Sequence, residues 1–164
     1  MLFTTRTREV AAAFVHPLDP APRTAVLVPG FASTRTVRVF PNGWDNAAKK
    51  FAPAAVAGTF DQLLALAHDG SQFTHAIISL AWQRDDLLTR HQSDFLWEAF
   101  GVPIFEQYLG PGNVLLAYEC EAHGDFHATP AYTGPILKGR RCACGIDLPT
   151  CSVNREALVL RATA

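Results

Sequence analysis

Residues 118–151 read Tyr118-Glu-Cys-Glu-Ala-His-Gly-Asp-Phe-His127-Ala-Thr-Pro-Ala-Tyr132-Thr-Gly-Pro-Ile-Leu-Lys-Gly-Arg-Arg-Cys142-Ala-Cys-Gly145-Ile-Asp-Leu-Pro-Thr-Cys151. All four cysteines of the 164-residue chain lie here, Cys120, Cys142, Cys144 and Cys151, together with His123 and His127. Thiolates and imidazoles gathered in this way are the ligand set of a four-coordinate zinc ion. Residues 114–122 favour a strand and residues 126–129 a return strand, with Gly124-Asp125 as a two-residue turn. In that register His123 faces Phe126, Ala122 faces His127 and Cys120 faces Thr129. Side chains alternate across a strand, so Cys120 and His127 share one face while His123 points to the other. Cys142 and Cys144 also share a face if extended, and Gly145 frees the backbone to turn around an ion. The expected ligands are Cys120, His127, Cys142 and Cys144, with His123 and then Cys151 as substitutes.

Other uses of these cysteines predict different behaviour. Two disulfides would suit a secreted protein, but Met1-Leu2-Phe3-Thr4-Thr5-Arg6 lacks the sustained apolar run of a signal peptide. Cysteines one residue apart rarely bridge each other, because the geometry is strained. A thiol redox cluster and iron–sulfur ligation through the four cysteines remain as alternatives, the latter without a matching spacing rule. A closed site of three thiolates and one imidazole leaves no position for substrate, so the expected role of the zinc is structural.

Outward from this segment, the chain resembles a known family. The stretches Glu98-Ala-Phe-Gly-Val-Pro-Ile-Phe-Glu-Gln-Tyr108, Gly110-Pro-Gly112 and Tyr118-Glu-Cys-Glu-Ala-His-Gly-Asp-Phe-His127 resemble the middle of the phenylacetate–CoA ligase family of adenylate-forming acyl-CoA synthetases, over about residues 74–149. Some members follow the hairpin with Cys-x-Cys-Gly, here Cys142-Ala-Cys144-Gly145, where the cysteines and a histidine look like a zinc site. The resemblance implies a fragment of that fold with its zinc hairpin. The family's Ser/Thr/Gly-rich phosphate loop has no counterpart, and Pro29-Gly-Phe-Ala-Ser-Thr-Arg35 is the nearest stretch, with one glycine. Tyr108 runs into Leu109-Gly110-Pro111 where the family carries Tyr-Gly-x-Ser/Thr-Glu. A ribose-binding aspartate and a C-terminal domain with a catalytic lysine are likewise not found. These departures argue against a working ATP-dependent ligase.

The expected fold is α/β: a mixed sheet with a parallel strand–helix–strand core and a C-terminal zinc-bound hairpin and knuckle. It is read as one domain over residues 1–164, divided into an irregular arm (1–23), a strand–helix core (24–116) and the zinc-hairpin region (117–151). In the arm, residues 10–15 favour a strand or short helix before Pro17, Pro20 and Pro22 interrupt regular structure. Residues 24–28 and 37–40 read as strands, with Pro41-Asn-Gly43 as a turn. Asp45 is placed to cap a helix through Lys50, and Thr59 or Asp61 another through Ala67, ended by Asp69-Gly70. Residues 75–81 read as a central strand covered on both faces. A helix from Asp85 or Asp86 through Phe100 and a strand over 102–108 then predict a right-handed crossover and a parallel pair. Residues 152–162 favour a last strand or short helix.

Several residues are assigned ordinary roles. Ser33 lacks the Gly-x-Ser-x-Gly elbow of a hydrolase and reads as a turn residue. His68, His75 and His91 read as surface or structural histidines, Trp44 as packing, and Asp85-Asp86 as a cap. The net charge of −1 gives no reason to invoke nucleic acid or an acidic membrane, and no apolar run reaches a bilayer-spanning length. The expectation is a cytoplasmic accessory module that binds a protein partner or a small acyl- or CoA-type ligand, alone or as an oligomer. The alternatives are an acyl- or aryl-CoA ligase-related enzyme completed by a partner that binds ATP, and a thiol redox protein.

Overall fold

The computed structural model describes residues 11–122, 125–138 and 142–153. Among them one sheet runs in the order β2-β1-β3-β4-β5-β6-β7-β8. Its strands are β1 (Thr24–Val26), β2 (Val37–Val39), β3 (Ala55–Gly58), β4 (Ala76–Ala81), β5 (Ile104–Leu109), β6 (Leu115–Tyr118), β7 (Phe126–Ala128) and β8 (Thr150–Cys151). The first five in that order are mutually parallel; β6, β7 and β8 add antiparallel strands beyond β5. The architecture is therefore α/β with a mixed sheet.

Three helices, α1 (Asn46–Phe51), α2 (Phe60–His68) and α3 (Arg90–Phe100), connect the parallel strands from β2 onward. Each of these crossovers steps across the sheet in the same direction, so a single handedness places all three on one face. There Phe51, Leu63, Leu66, Leu96 and Phe100 pack on Leu27, Val56, Ile77 and Ile104. The only step in the opposite direction among these strands, β1 to β2, carries no helix. The other face, with Val26, Ile78, Leu80 and Phe105, meets Ala12, Phe14 and Leu18 of the N-terminal arm. Polar groups hold that arm down. Ala12 bridges Phe31, the phenyl rings of Phe14 and Phe31 meet edge-on at 5.5 Å, and Gln107 Nε2 donates to the Val15 carbonyl at 2.6 Å.

Local signals account for most element ends. Asp45 caps α1 by accepting from the Ala48 amide at 2.9 Å. Thr59 and Gln62 form a reciprocal capping box at the start of α2. Strand β4 is buried at every residue, as an almost continuous apolar run at the centre of a covered parallel sheet requires.

Four expectations need correction. Residues 11–15 contribute one bridge rather than a strand or helix. Helix α3 opens at Arg90 rather than at Asp85 or Asp86, which lie in a short 3-10 turn. The reason is local: Leu88 gives its amide to buried Glu106 Oε1 at 2.6 Å, and Thr89 then forms a capping box with Gln92. The hairpin pairs Tyr118 with His127 and Ala117 with Ala128, so its loop spans residues 119–125 rather than two residues. Strands β3 and β8 lie where no strand was expected: Ala-Val-Ala-Gly has weak β-propensity, and β8 is two residues long. The expected last element lies largely outside the described residues, which include only Ser152 and Val153 of it.

Candidate metal centre

The sheet's antiparallel extension ends in a cluster of sulfur and nitrogen. Cys120 follows β6 and His127 sits in β7, next to Tyr118 in register. Cys142 and Cys144 return from the far end of the loop between β7 and β8. The four ligand atoms all lie within 4.8 Å of one another. Cys120 Sγ is 3.3 Å from Cys142 Sγ, and Cys144 Sγ is 3.2 Å from His127 Nε2. A tetrahedral zinc ion with ordinary bond lengths sets its ligands about 3.8 Å apart for two sulfurs and about 3.6 Å apart for sulfur and nitrogen. The cluster spans those separations, so its size and donor chemistry fit a four-coordinate metal ion.

Backbone geometry shapes the knuckle. Gly145 has φ +78°, a left-handed conformation that costs glycine little. It turns the chain so that the Gly145 amide donates to the Cys142 carbonyl at 3.4 Å and the Ile146 amide points at Cys144 Sγ, also at 3.4 Å. Burial pushes the Cys120 thiol up to about 12. The Cys142 thiol is drawn down to about 7, chiefly by the backbone amide of Cys144 and further by its sulfur and imidazole neighbours. Cys142 is thus the first thiol of the pair to ionise, and a metal must displace the proton of Cys120. The Tyr118 ring lies 5.5 Å from the His127 ring, and His127 Nδ1 is buried without a hydrogen-bond partner among the described residues.

All four expected ligands are therefore brought together, although the register used to place Cys120 beside His127 is not the one the chain adopts. Cys151 is not part of the cluster. It lies in β8 opposite Phe126 and packs fully buried with Ala117, Ala128 and Val153, and burial pushes its thiol up to about 11. His123 lies outside the described residues. Cys151→Ala is expected to leave metal stoichiometry unchanged while costing about 1–2 kcal/mol of stability through a small core void; metal analysis beside urea denaturation reads both.

The C-terminal ends of the parallel strands carry a second feature. Asn113 accepts from Trp82 Nε1 at 3.1 Å and donates to the Pro29 carbonyl at 2.9 Å, tying the end of β4 to the loop after β1. Beside this tie, a cleft of about 320 Å3 is lined by Thr59, Asp61, Leu80, Trp82, Asp85 and Gln92, among others. It lies at the carboxyl ends of β3 and β4. Asn113 gave no signal in the sequence beyond following Gly110-Pro-Gly112. Gly30 is obligatory here: its φ is +91°, and a Cβ would come 2.5 Å from Asn113 Nδ2. Gly30→Ala is expected to destabilise by about 2 kcal/mol and to release Trp82, visible as a changed near-UV circular dichroism band.

The remaining candidates take structural or surface roles. Ser33 Oγ accepts from the Val39 amide at 3.1 Å, and Asp86 Oδ2 accepts from the Gln83 amide at 3.1 Å. His68, His75 and His91 are exposed, and Trp44 packs edge-on against Phe73 at 5.5 Å. No helix among the described residues is long and apolar enough to cross a membrane. Comparison with protein-family models and with curated proteins finds no match for this chain.

Proposed function

We propose that this chain is a zinc-stapled, non-catalytic α/β module, related to the phenylacetate–CoA ligase branch of the acyl-adenylating enzymes and serving as a ligand-binding or partner-binding accessory. The observation that carries the reading is the convergence of three sulfurs and one imidazole nitrogen, from two separated segments, within 4.8 Å. Four protein donors fill a tetrahedral shell, so the ion would hold structure rather than activate water or substrate. Support for the relationship comes from the residues already quoted, and one local feature supports the non-catalytic assignment. The β5–β6 register shifts at Tyr108 and Leu109, and the turn Pro111–Asn113 follows almost at once. That leaves no room for the Ser/Thr-Glu segment that the family places after its tyrosine. The cleft beside Trp82 is the natural ligand site, because parallel sheets bind at the carboxyl ends of their strands.

Protein purified without added zinc is expected to carry about one equivalent of zinc per chain, and the isolated chain is expected to give no pyrophosphate exchange with aryl or fatty acids. Metal well below one equivalent removes the staple. Exchange by the isolated chain overturns the non-catalytic assignment in favour of a ligase-related enzyme. A thiol redox role draws on the 3.3 Å approach of Cys120 and Cys142 Sγ, and alkylation separates it. A metal-bound cluster shields Cys142 from iodoacetamide until a chelator is added, whereas a redox pair reacts in the untreated protein.

A further inference from the structure

At the opposite ends of the parallel strands, along the edge formed by β2, a cleft of about 760 Å3 is lined by Arg23, Thr34, Arg35, Thr36, Arg38 and Phe51. Its lining holds three guanidinium groups, two hydroxyls and no carboxylate. The charge is segregated along the chain as well. Between Asp19 and Asp61 lie five cations, Arg23, Arg35, Arg38, Lys49 and Lys50, against one acid, Asp45. Asp45 is committed to capping α1, and Lys49 pairs with Asp69 at 3.7 Å. Among the described residues none of the three arginines forms an ion pair.

Two of the three cationic groups are gathered on one ring. Arg23 donates to the Phe51 carbonyl, and its guanidinium carbon sits 4.6 Å from the Phe51 ring centroid. The guanidinium of Arg38 sits 5.5 Å from the same centroid. One buried phenyl ring thus fixes two like charges near each other, while Arg35 makes no hydrogen bond among the described residues. A guanidinium offers five N–H donors in a planar fork matched to phosphoryl oxygens. Threonine hydroxyls add donors that tolerate either polarity. Charged side chains also guard edge strands against unwanted pairing, but guarding needs neither a concave arrangement nor a ring that holds two guanidiniums together.

We infer that this cleft binds a small organic phosphate carrying two phosphoryl groups. Pyrophosphate comes close to matching three guanidinium charges, and the volume exceeds what a lone phosphate fills, leaving room for an organic remainder. The site is independent of the metal centre and of the cleft beside Trp82.

The test is calorimetric titration of the full, metal-loaded chain with inorganic pyrophosphate at low ionic strength, where surface electrostatics are least screened. Saturable one-site binding is expected, weakened at least tenfold in Arg35→Gln/Arg38→Gln and unchanged in Lys50→Gln, which lies outside the cleft. Both arginines are exposed, so the variant should melt like the parent and keep its zinc, separating loss of this site from loss of the metal staple. Arg35→Gln alone, weakened threefold or more, repeats the test with the Phe51 packing intact. ADP binding tighter than pyrophosphate supports the site and assigns a nucleotide; weaker ADP binding supports it with a non-nucleotide diphosphate. No saturable binding, equal binding by the double variant, or equally tight binding of citrate overturns the proposal.

Discussion

Cys120→Ala is expected to lower the melting temperature by about 10–20 °C, and chelation of the parent protein should do the same. Structural zinc contributes on the order of 10 kcal/mol in small domains. A three-ligand remnant retains part of that, so a loss of about 5 kcal/mol is expected, at about 2–4 °C per kcal/mol for a chain of this size. The effect is large because the long connection from β7 to β8 has little other anchorage among the described residues. Its two ends are tied, Thr129 to the Leu115 and Leu116 carbonyls and the Pro149 carbonyl to the Ala128 amide. Between them Tyr132 packs beside Cys151, Ile136 bridges Cys151 and the Leu137 amide donates to the Thr150 carbonyl at 2.8 Å. Cys142 and Cys144 meet the sheet at Cys120 and His127, where a bound ion would join all four. Acid should act in the same direction: as pH falls, protons compete for thiolates, and each thiol protonated in the metal-free form weakens binding about tenfold per pH unit. Scanning calorimetry with and without chelator checks this. Identical melting of chelated and untreated protein, with Cys120→Ala no worse than Cys151→Ala, would falsify the staple.

Glu106→Gln is expected to stabilise the protein at pH 8 by about 3 kcal/mol and to leave it nearly unchanged at pH 4. Glu106 is buried on the helix-covered face of β5, opposite Ser79. Burial lifts its carboxyl from 4.5 to about 7, against the lowering effect of the Leu88 amide it accepts from. Below about pH 4.5 the folded and unfolded chains both hold the proton. Between there and about pH 7 only the folded chain does, and above pH 7 folding must bury a carboxylate. Stability therefore falls as pH rises through that window, by about 1.4 kcal/mol per unit of displacement. Glutamine keeps the acceptor for Leu88 and cannot ionise. It also removes the charge that, after burial itself, helps push Glu119 up to about 8. Urea denaturation of both proteins at pH 4 and pH 8 measures the difference. Equal gaps at the two values, or a variant weaker at pH 8, would show that the carboxyl is not penalised.

Much of the fold could be read where local chemistry speaks for itself. The Thr59 cap, one of the two residues expected there, the apolar run of β4 and the glycine after Cys144 each carry their own physical cause, and each appears in the fold. Failures came where a distant residue decides a local outcome. Nothing in Leu87-Leu88 announces that Glu106, eighteen residues on, takes the Leu88 amide and delays α3. Strand β3, Ala-Val-Ala-Gly, is buried at every residue, and burial is a property of the assembled sheet. The gathering of Cys120, His127, Cys142 and Cys144 was legible because metal chemistry limits the donors, even though the hairpin loop proved longer than a tight turn. The arginine cleft was not, since its members are scattered over sixteen positions and meet only when Phe51 packs against β1 and β2.

The arm's attachment to Gln107 bears on how the polypeptide matures as it leaves the ribosome. Val15 and its partner are ninety-two positions apart, so this anchor of the arm forms only after β5 has been synthesised and paired, although Ala12 and Phe14 can meet Phe31 sooner. Until then the face carrying Ile78 and Leu80 is less firmly covered, and the growing nascent chain passes through an interval in which a greasy surface is open to chaperones or to neighbouring chains.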